Sequence, residues 1–311
     1  MVAHRVIRLV RDVVDYDATR TFYREFGLTE TTPGTFASAV GGEQLELRPA
    51  EVPAVVRIDI AVEQDSDLDD IAARLLRLGA APVRTKTHLE AREPVSGVLV
   101  RLLVEDRLAR DAPRRQTELR RDDLVPHEPV RPQRLGHVVL GCADVEEAKH
   151  FFLDGIGMRL SDYVTSGPFM RFDTDHHNIV LIPAPFTLLH HTAWKVRSVD
   201  EIGNGGSQMI ANHPHRHAWG LGRHAASANY FWYLRDPSGA FAEYYYSDMD
   251  ERAPDRFFWD RLPDQPELPV AVWASPSLEQ APLAAPLRGV PTVPEEMPAP
   301  LLETHPGPSG R

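Results

Sequence analysis

RLGHVVLGCADVEEAKHFFLDGIGM (residues 134–158) restates the layout of RVIRLVRDVVDYDATRTFYREFGL (residues 5–28). Each opens on an apolar strand, turns a polar corner and enters a helix. The helix carries an aromatic pair, Phe22–Tyr23 or Phe151–Phe152, and a glycine, Gly27 or Gly157, placed to end it. Short strand-like runs follow in both copies: FASAV and EQLELR after the first, FMRFD and NIVLIP after the second. Two further cycles begin with VVRIDIAV, from Val55, and with LLHHTAWKV, around Leu189. Their helices are DLDDIAARLLRLG and SVDEIGNGGSQMIAN, and they end in GVLVRLLVED and YFWYLRDPSGAFAEYYYSD. The chain thus reads as four units of roughly fifty residues, each strand–helix–strands, an α+β class in which pairs of βαβββ modules form open, barrel-like sheets.

Two units make an N-terminal domain, 1–107, and two make a C-terminal domain, 133–250. Residues 108–132, with RRQTELRRDD, read as a charged linker, and 251–311 as a Pro-rich tail. Twelve prolines fall between Pro263 and Pro308, so the tail is expected to be extended, with Phe257, Phe258, Trp259 and Trp273 available to pack on the body or on a neighbouring subunit.

Composition narrows the function classes. In 311 residues, 34 Lys+Arg against 45 Asp+Glu leave a net charge of −11, which speaks against a phosphate-binding surface and against nucleic acid as a partner. No apolar run approaches the ~18 residues of a membrane span, and MVAHRVIRLVRD lacks a signal-peptide core. The single cysteine, Cys142, excludes an intramolecular disulfide and fits a reducing cytoplasm; a small buried apolar residue is its default role. Most of the fourteen histidines lie after residue 136, where metal or acid–base chemistry is to be sought.

Aligning the repeats sets His137 opposite Arg8, His191 opposite Arg57 and Glu243 near Arg101. The second domain therefore carries His, His and Glu where the first carries none of them. Each alone would read as a hydrogen-bonded core residue. Together, 54 and 52 residues apart on equivalent strands, they compose the two-imidazole, one-carboxylate facial set that suits Fe(II) or Mn(II) and leaves positions open. A closed structural zinc site would need a fourth ligand.

The region from Gly222 adds a second pattern: Gly222-Arg223-His224, seven residues, Trp232-Tyr233, two residues, Asp236-Pro237-Ser238-Gly239, three residues, Glu243. This resembles the type I extradiol ring-cleavage dioxygenases of the vicinal oxygen chelate superfamily, whose signature holds a Gly-x-His, a Tyr nine residues on, an acidic-Pro-x-Gly turn and a Glu ten after the Tyr. Trp232 departs from it, since the family has an aliphatic residue or Phe there. Leu189-His190-His191 with Trp194 resembles the family's second-ligand strand. The resemblance covers about residues 1–250 and leaves the tail aside.

It implies two vicinal-oxygen-chelate domains, His137, His191 and Glu243 as metal ligands, and Fe(II) or Mn(II) as cofactor. It further implies that His177 works at the oxygen-binding position, that His224 and Tyr233 handle the substrate hydroxyls, and that Phe169 and Trp219 wall the substrate. A catechol and O2 are the implied reactants, and a homo-oligomer the implied assembly. Members that take carboxylated catechols have Arg where Trp219 stands, so an uncharged ring, alkyl- or aryl-substituted, is expected here unless Arg171, Arg216 or Arg223 supplies a charge. His176 and His190 are off-by-one rivals of His177 and His191; on a strand only one of each pair would face the site. The alternatives are a glyoxalase- or epimerase-type enzyme with four ligands and no O2, and a metal-free drug-binding protein.

Other signals are set aside. His213, His215 and His217 in NHPHRHAWG read as a surface loop or lid. GNGGSQM lacks the strand-before context of a phosphate loop, and no nucleophile elbow supports a Ser-His-Asp hydrolase.

Overall fold

The structure is a computed structural model that describes residues 2–108, 129–164, 167–172, 175–246 and 270–275. The linker run RRQTELRRDD, and the tail apart from 270–275, lie outside the described residues.

The first unit runs β1 (Ala3–Val13), α1 (Tyr16–Glu25), β2 (Thr29–Thr32), β3 (Thr35–Ser38), β4 (Gly42–Pro49); the second β5 (Ala54–Val62), α2 (Asp65–Arg77), β6 (Val83–Arg84), β7 (His88–Arg92), β8 (Leu99–Val104). The third runs β9 (Arg134–Cys142), α3 (Val145–His150), β10 (Arg159–Val164), β11 (Gly167–Arg171), β12 (Ile179–Pro183). The fourth runs β13 (Leu188–Lys195), α4 (Val199–Ala211), β14 (His217–His224), β15 (Tyr230–Arg235), β16 (Phe241–Tyr246), and a last strand, β17 (Ala271–Ala274), comes from the tail. Local chemistry starts the helices: Asp15, Asp144 and Ser198 accept from the amides of Ala18, Glu147 and Glu201 at their N-termini. No described helix is long and apolar enough to cross a membrane.

The first sheet has the order β2-β3-β4-β1-β5-β8-β7-β6, and the second β10-β11-β12-β9-β13-β16-β15-β14-β17. Apart from β17 the two orders are identical, so the repeat seen in the sequence is a repeat of topology. In every unit the first strand pairs parallel with the last, across the crossover helix, and the two units of a sheet meet through antiparallel first strands, β1 on β5 and β9 on β13. Each sheet curls around its central strands, the vicinal-oxygen-chelate architecture.

The aromatics of the helix repeat build the core. Phe22, Tyr23, Phe26 and Phe152 are fully buried, and Phe26 stacks on Tyr244 of β16 at 4.0 Å between ring centroids. The two sheets are thereby joined through side chains, as also by Arg74 of α2, which donates to the carbonyls of Gly155 and Ile156.

Two local expectations are corrected, and the glycines of a third segment are explained. The helix over 145–158 widens at its aromatic pair into a π-helical turn, Phe151–Ile156, before Gly157 ends it at φ +91°. The segment expected as a histidine loop is only briefly irregular, because His217 to Gly220 already belong to β14, and His217 Nδ1 accepts from Trp232 Nε1 at 3.0 Å. Two of the three glycines of GNGGSQM serve packing. A Cβ on Gly205 would meet the Tyr244 ring at 2.8 Å and one on Gly206 the Trp232 ring at 2.4 Å, whereas Gly203 has open space around it.

The two kinds of glycine should separate experimentally. Gly203→Ala gains helix propensity, up to about 1 kcal/mol. Gly206→Ala loses more than that to overpacking, about 1–3 kcal/mol. Denaturant midpoints should therefore move in opposite directions, and a shared direction would show that α4 does not sit this close to Trp232.

Candidate metal centre

β9, β13 and β16 lie side by side, and their register decides what meets. Ala193 of β13 stands opposite His137 on one side and Glu243 on the other, and His191 lies two residues along the same strand. Two residues along a strand is the same face, so the three side chains converge. His137 Nε2, His191 Nε2 and Glu243 Oε2 form a triangle with all three sides 3.2 Å. All three residues are buried, Glu243 completely.

Hydrogen bonding does not satisfy this cluster. One Nε2–H of His137 cannot point at both His191 and Glu243, and Glu243 Oε1 is buried with no hydrogen-bond partner. A divalent cation fits the donor set. With metal–ligand bonds of roughly 2.1 Å, neighbouring ligand atoms stand about 3.0–3.4 Å apart. Burial drives the carboxyl of Glu243 up, but hydrogen bonds from His137 and His191 outweigh it and hold the group well below the usual carboxylate range. Burial lowers His191 to about 4, against the pull of Glu243, so its imidazole is neutral and its lone pair available.

The first sheet shows the same three positions put to another use. There Arg8 stands opposite Asp59, Asp59 opposite Arg101, and Arg57 lies two residues before Asp59, the alignment read from the sequence. Asp59 is almost wholly buried and takes both forks, from Arg57 at 2.6 and 3.3 Å and from Arg101 at 3.1 and 2.8 Å. Where one sheet gathers ligands, the other gathers its own counter-ions.

The remaining expected site residues lie around the triangle. The ring of His177 is 4.1 Å from that of His137 and edge-on to Phe169 at 5.0 Å. Burial, then the nearby His137, lowers His177 well below the ordinary histidine value. Tyr233 meets the His191 ring edge-on at 5.0 Å and lies 3.0 Å, oxygen to Nε2, from His224, whose own Nε2 is 3.9 Å from Glu243. Burial raises Tyr233 far above its usual value, so its hydroxyl keeps its proton. Trp219 lies nearly parallel to Tyr233 at 5.9 Å. Beside His137 a small pocket is lined by Asp175, His176, His177, Ser227, Asn229 and Tyr245.

The strand-alternation argument fails for one histidine pair and holds for the other. His176 and His177 sit in a bend, not a strand; both line the cavity and their Nδ1 atoms are 3.0 Å apart. On β13 only His191 joins the triangle; His190 lies against Phe241, although a register irregularity between Leu189 and His191 leaves the two Nδ1 atoms 2.7 Å apart. Sequence reading also passed over Asp175, held by both guanidinium nitrogens of Arg134 at 2.6 and 2.7 Å, and Ser227, Asn229 and Tyr245. Nothing but their nearness to His177, His224 and Glu243 marked them. Trp232, the departure from the family pattern, faces α4 rather than the centre, and Gly206 makes the room for it.

Fold and donor set together define a curled α+β domain with a two-histidine, one-carboxylate centre. Residues 134–244 match the Glyoxalase/Bleomycin resistance protein/Dioxygenase superfamily. Over 118 residues the chain is 42% identical to metapyrocatechase 2 of Cupriavidus necator, a match covering 37% of each protein. The chain spans about two fifths of the length of the curated relatives it matches. Among solved structures, BphC, a halotolerant catechol dioxygenase, superposes with a TM-score of 0.73 at 16% identity, covering 91% of this chain and 98% of that one. The Mn(II)-bound glyoxalase of Novosphingobium aromaticivorans does so with 0.72 at 23%, covering 93% and 97%. These two carry different chemistries on one fold, so function is argued from the site.

Proposed function

We propose that this chain is an extradiol dioxygenase that opens a catechol ring beside its two hydroxyls with O2, giving a hydroxymuconic semialdehyde-type product. The observation that carries the reading is the buried 3.2 Å triangle of His137, His191 and Glu243 with the His224–Tyr233 pair beside it. Bound by that triangle, Fe(II), or Mn(II) as the other ion such ligands accept, supplies chelation of both catechol oxygens and an open position for O2.

The chain's own residues do the rest. Two neutral imidazoles and one carboxylate offer a single negative charge, which suits a singly deprotonated catechol on a divalent ion. Tyr233 and His224 hold the substrate oxygen and take its second proton; their 3.0 Å contact makes one relay of the two. His177, neutral and beside His137, is placed to hold and donate a proton on the oxygen side. Phe169 and Trp219 supply the aromatic walls.

Substrate charge follows from the surroundings. Arg171 is bonded to Ser161 and Leu160, Arg216 to Glu25, and Arg223 to Tyr230 and Ala228, and no arginine lines the cavity among the described residues. An uncharged catechol, alkyl- or aryl-substituted, is therefore the substrate class. The glyoxalase-type alternative asks for a fourth ligand, and the cluster of described residues holds three.

Protein reconstituted anaerobically with Fe(II) and given uncharged catechols should consume O2 in step with a yellow ring-opened chromophore. Bound metal with no O2 uptake on any catechol would shift the reading to the isomerase type. No bound metal would remove the centre altogether.

A further inference from the structure

β17 is the one described piece of the tail, and it lies on the free edge of β14, the strand that carries Trp219 and His224. Its two ends are where it touches the site. The Val270 carbonyl is 2.9 Å from His224 Nδ1, and the Ser275 carbonyl is 3.1 Å from Trp219 Nε1. Backbone bonds fix the strand at the same two places, Ala225 N to Val270 O and Ser275 N to Leu221 O.

A carbonyl oxygen only accepts, so the bond to Val270 requires the proton of neutral His224 to be on Nδ1. Nε2 is then a lone pair, and the Tyr233 hydroxyl 3.0 Å away must be the donor. That sets the direction of the whole relay: the Tyr233 proton points to His224. Without the Val270 carbonyl the other tautomer is open to His224, and with it the reverse direction, in which Nε2–H donates to Tyr233.

We infer that β17 is a positioning element for catalysis, a tail strand whose terminal carbonyls fix the tautomer of His224 and the ring of Trp219. The inference rests on the acid–base reading of His224 and Tyr233 given above. It also gives the Pro-rich tail a task at its described segment, where packing was the sequence expectation.

The test uses the full chain. Ala274 faces Gly222 of β14, where even a Cβ would come within 2.7 Å of the Ala274 methyl, so Ala274→Leu should force β17 off the edge. Ala274→Val takes its place should that variant not fold. Release is verified by fast hydrogen exchange at the Ser275 amide.

Two readouts follow. In metal-free protein, the ring nitrogens of His224, assigned by their loss in His224→Gln, should be protonated-type at Nδ1 in the parent and lose that signature in the variant. In loaded protein, kcat should fall about tenfold or more while KM stays within about threefold. A released strand with unchanged nitrogen signals, or with unchanged kcat, would overturn the inference. So would a rise in KM alone, which would make β17 a cover for substrate. If the parent cleaves no catechol, the proposed function fails by itself and the nitrogen signals still decide whether β17 sets the tautomer.

Discussion

Glu243→Ala and His191→Ala should each lose bound metal and ring cleavage together, with turnover down at least roughly a thousandfold, because the centre that holds both reactants side by side is gone. Metal content by elemental analysis and O2 uptake on the same preparation check it. The carboxylate should matter in a particular way. It is the only anionic member of the triangle, so Glu243→Gln, with nearly the same shape, should lose the ion as surely as Ala does. It should do so without unfolding. Glu243 is completely buried with one oxygen unpartnered, and neutralising such a group removes a desolvation cost from the metal-free fold. A melting temperature near that of the metal-free parent, with no metal and no turnover, is the expected signature. Full metal content in either alanine variant would sink the ligand assignment, however active or inactive the protein.

The second large effect lies away from the centre. Arg11 of β1 reaches across to the Asp236 turn of the second sheet, with Nη1 2.7 Å from the carboxylate and 2.8 Å from the hydroxyl of Tyr23, which also donates to Asp236 at 3.1 Å. Both charged side chains are essentially inaccessible, 2% and 0% exposed. The other oxygen of Asp236 accepts from the amides of Ser238 and Ala240, and the Ser238 hydroxyl meets Thr19 of α1. Arg11→Met should therefore cost about 3–5 kcal/mol, the penalty of leaving a buried carboxylate without its partner. Arg11→Met with Asp236→Leu should recover much of the loss, since no charge is then stranded. Chemical denaturation of the four-member cycle measures it. Additive losses in the double variant would mean that the two groups do not act as a pair. Because the turn leads directly into β16, the single variant should also weaken metal retention.

The repeat was legible because it is written in properties that the sequence displays: alternating apolar runs, helix-starting Asp and Ser, aromatic pairs and a closing glycine. The triangle of His137, His191 and Glu243 was legible for the same reason, since topology carries equivalent positions of equivalent strands to one place. What escaped was what depends on close packing or on partners distant in the chain. The π-helical turn at Phe151–Ile156 depends on how its buried aromatics pack, where periodicity shows only a helix. The bend that holds His176 and His177 brings both to the pocket, where strand alternation would admit only one. The cavity residues Asp175, Ser227, Asn229 and Tyr245 come from separate elements and share no motif. β17 is four residues in a stretch of prolines, and only the edge of β14 gives it a reason to be a strand. The family signature located His224 and Tyr233 but carried no trace of the carbonyl that orients them.

The Arg57–Asp59–Arg101 cluster bears on how a duplicated molecule can own a single reaction centre. Each sheet of this repeated fold brings polar side chains together on its central strands, so the molecule has two such clusters. One is filled from within by side chains that pair with one another, Asp59 with Arg57 and Arg101, so visitors from solvent find no berth there. The other is left with a surplus of negative charge and lone pairs that only a visitor can complete. The filled copy thus stands as an inert mould beside the open one, and among the described residues a divalent ion finds one such cluster to complete.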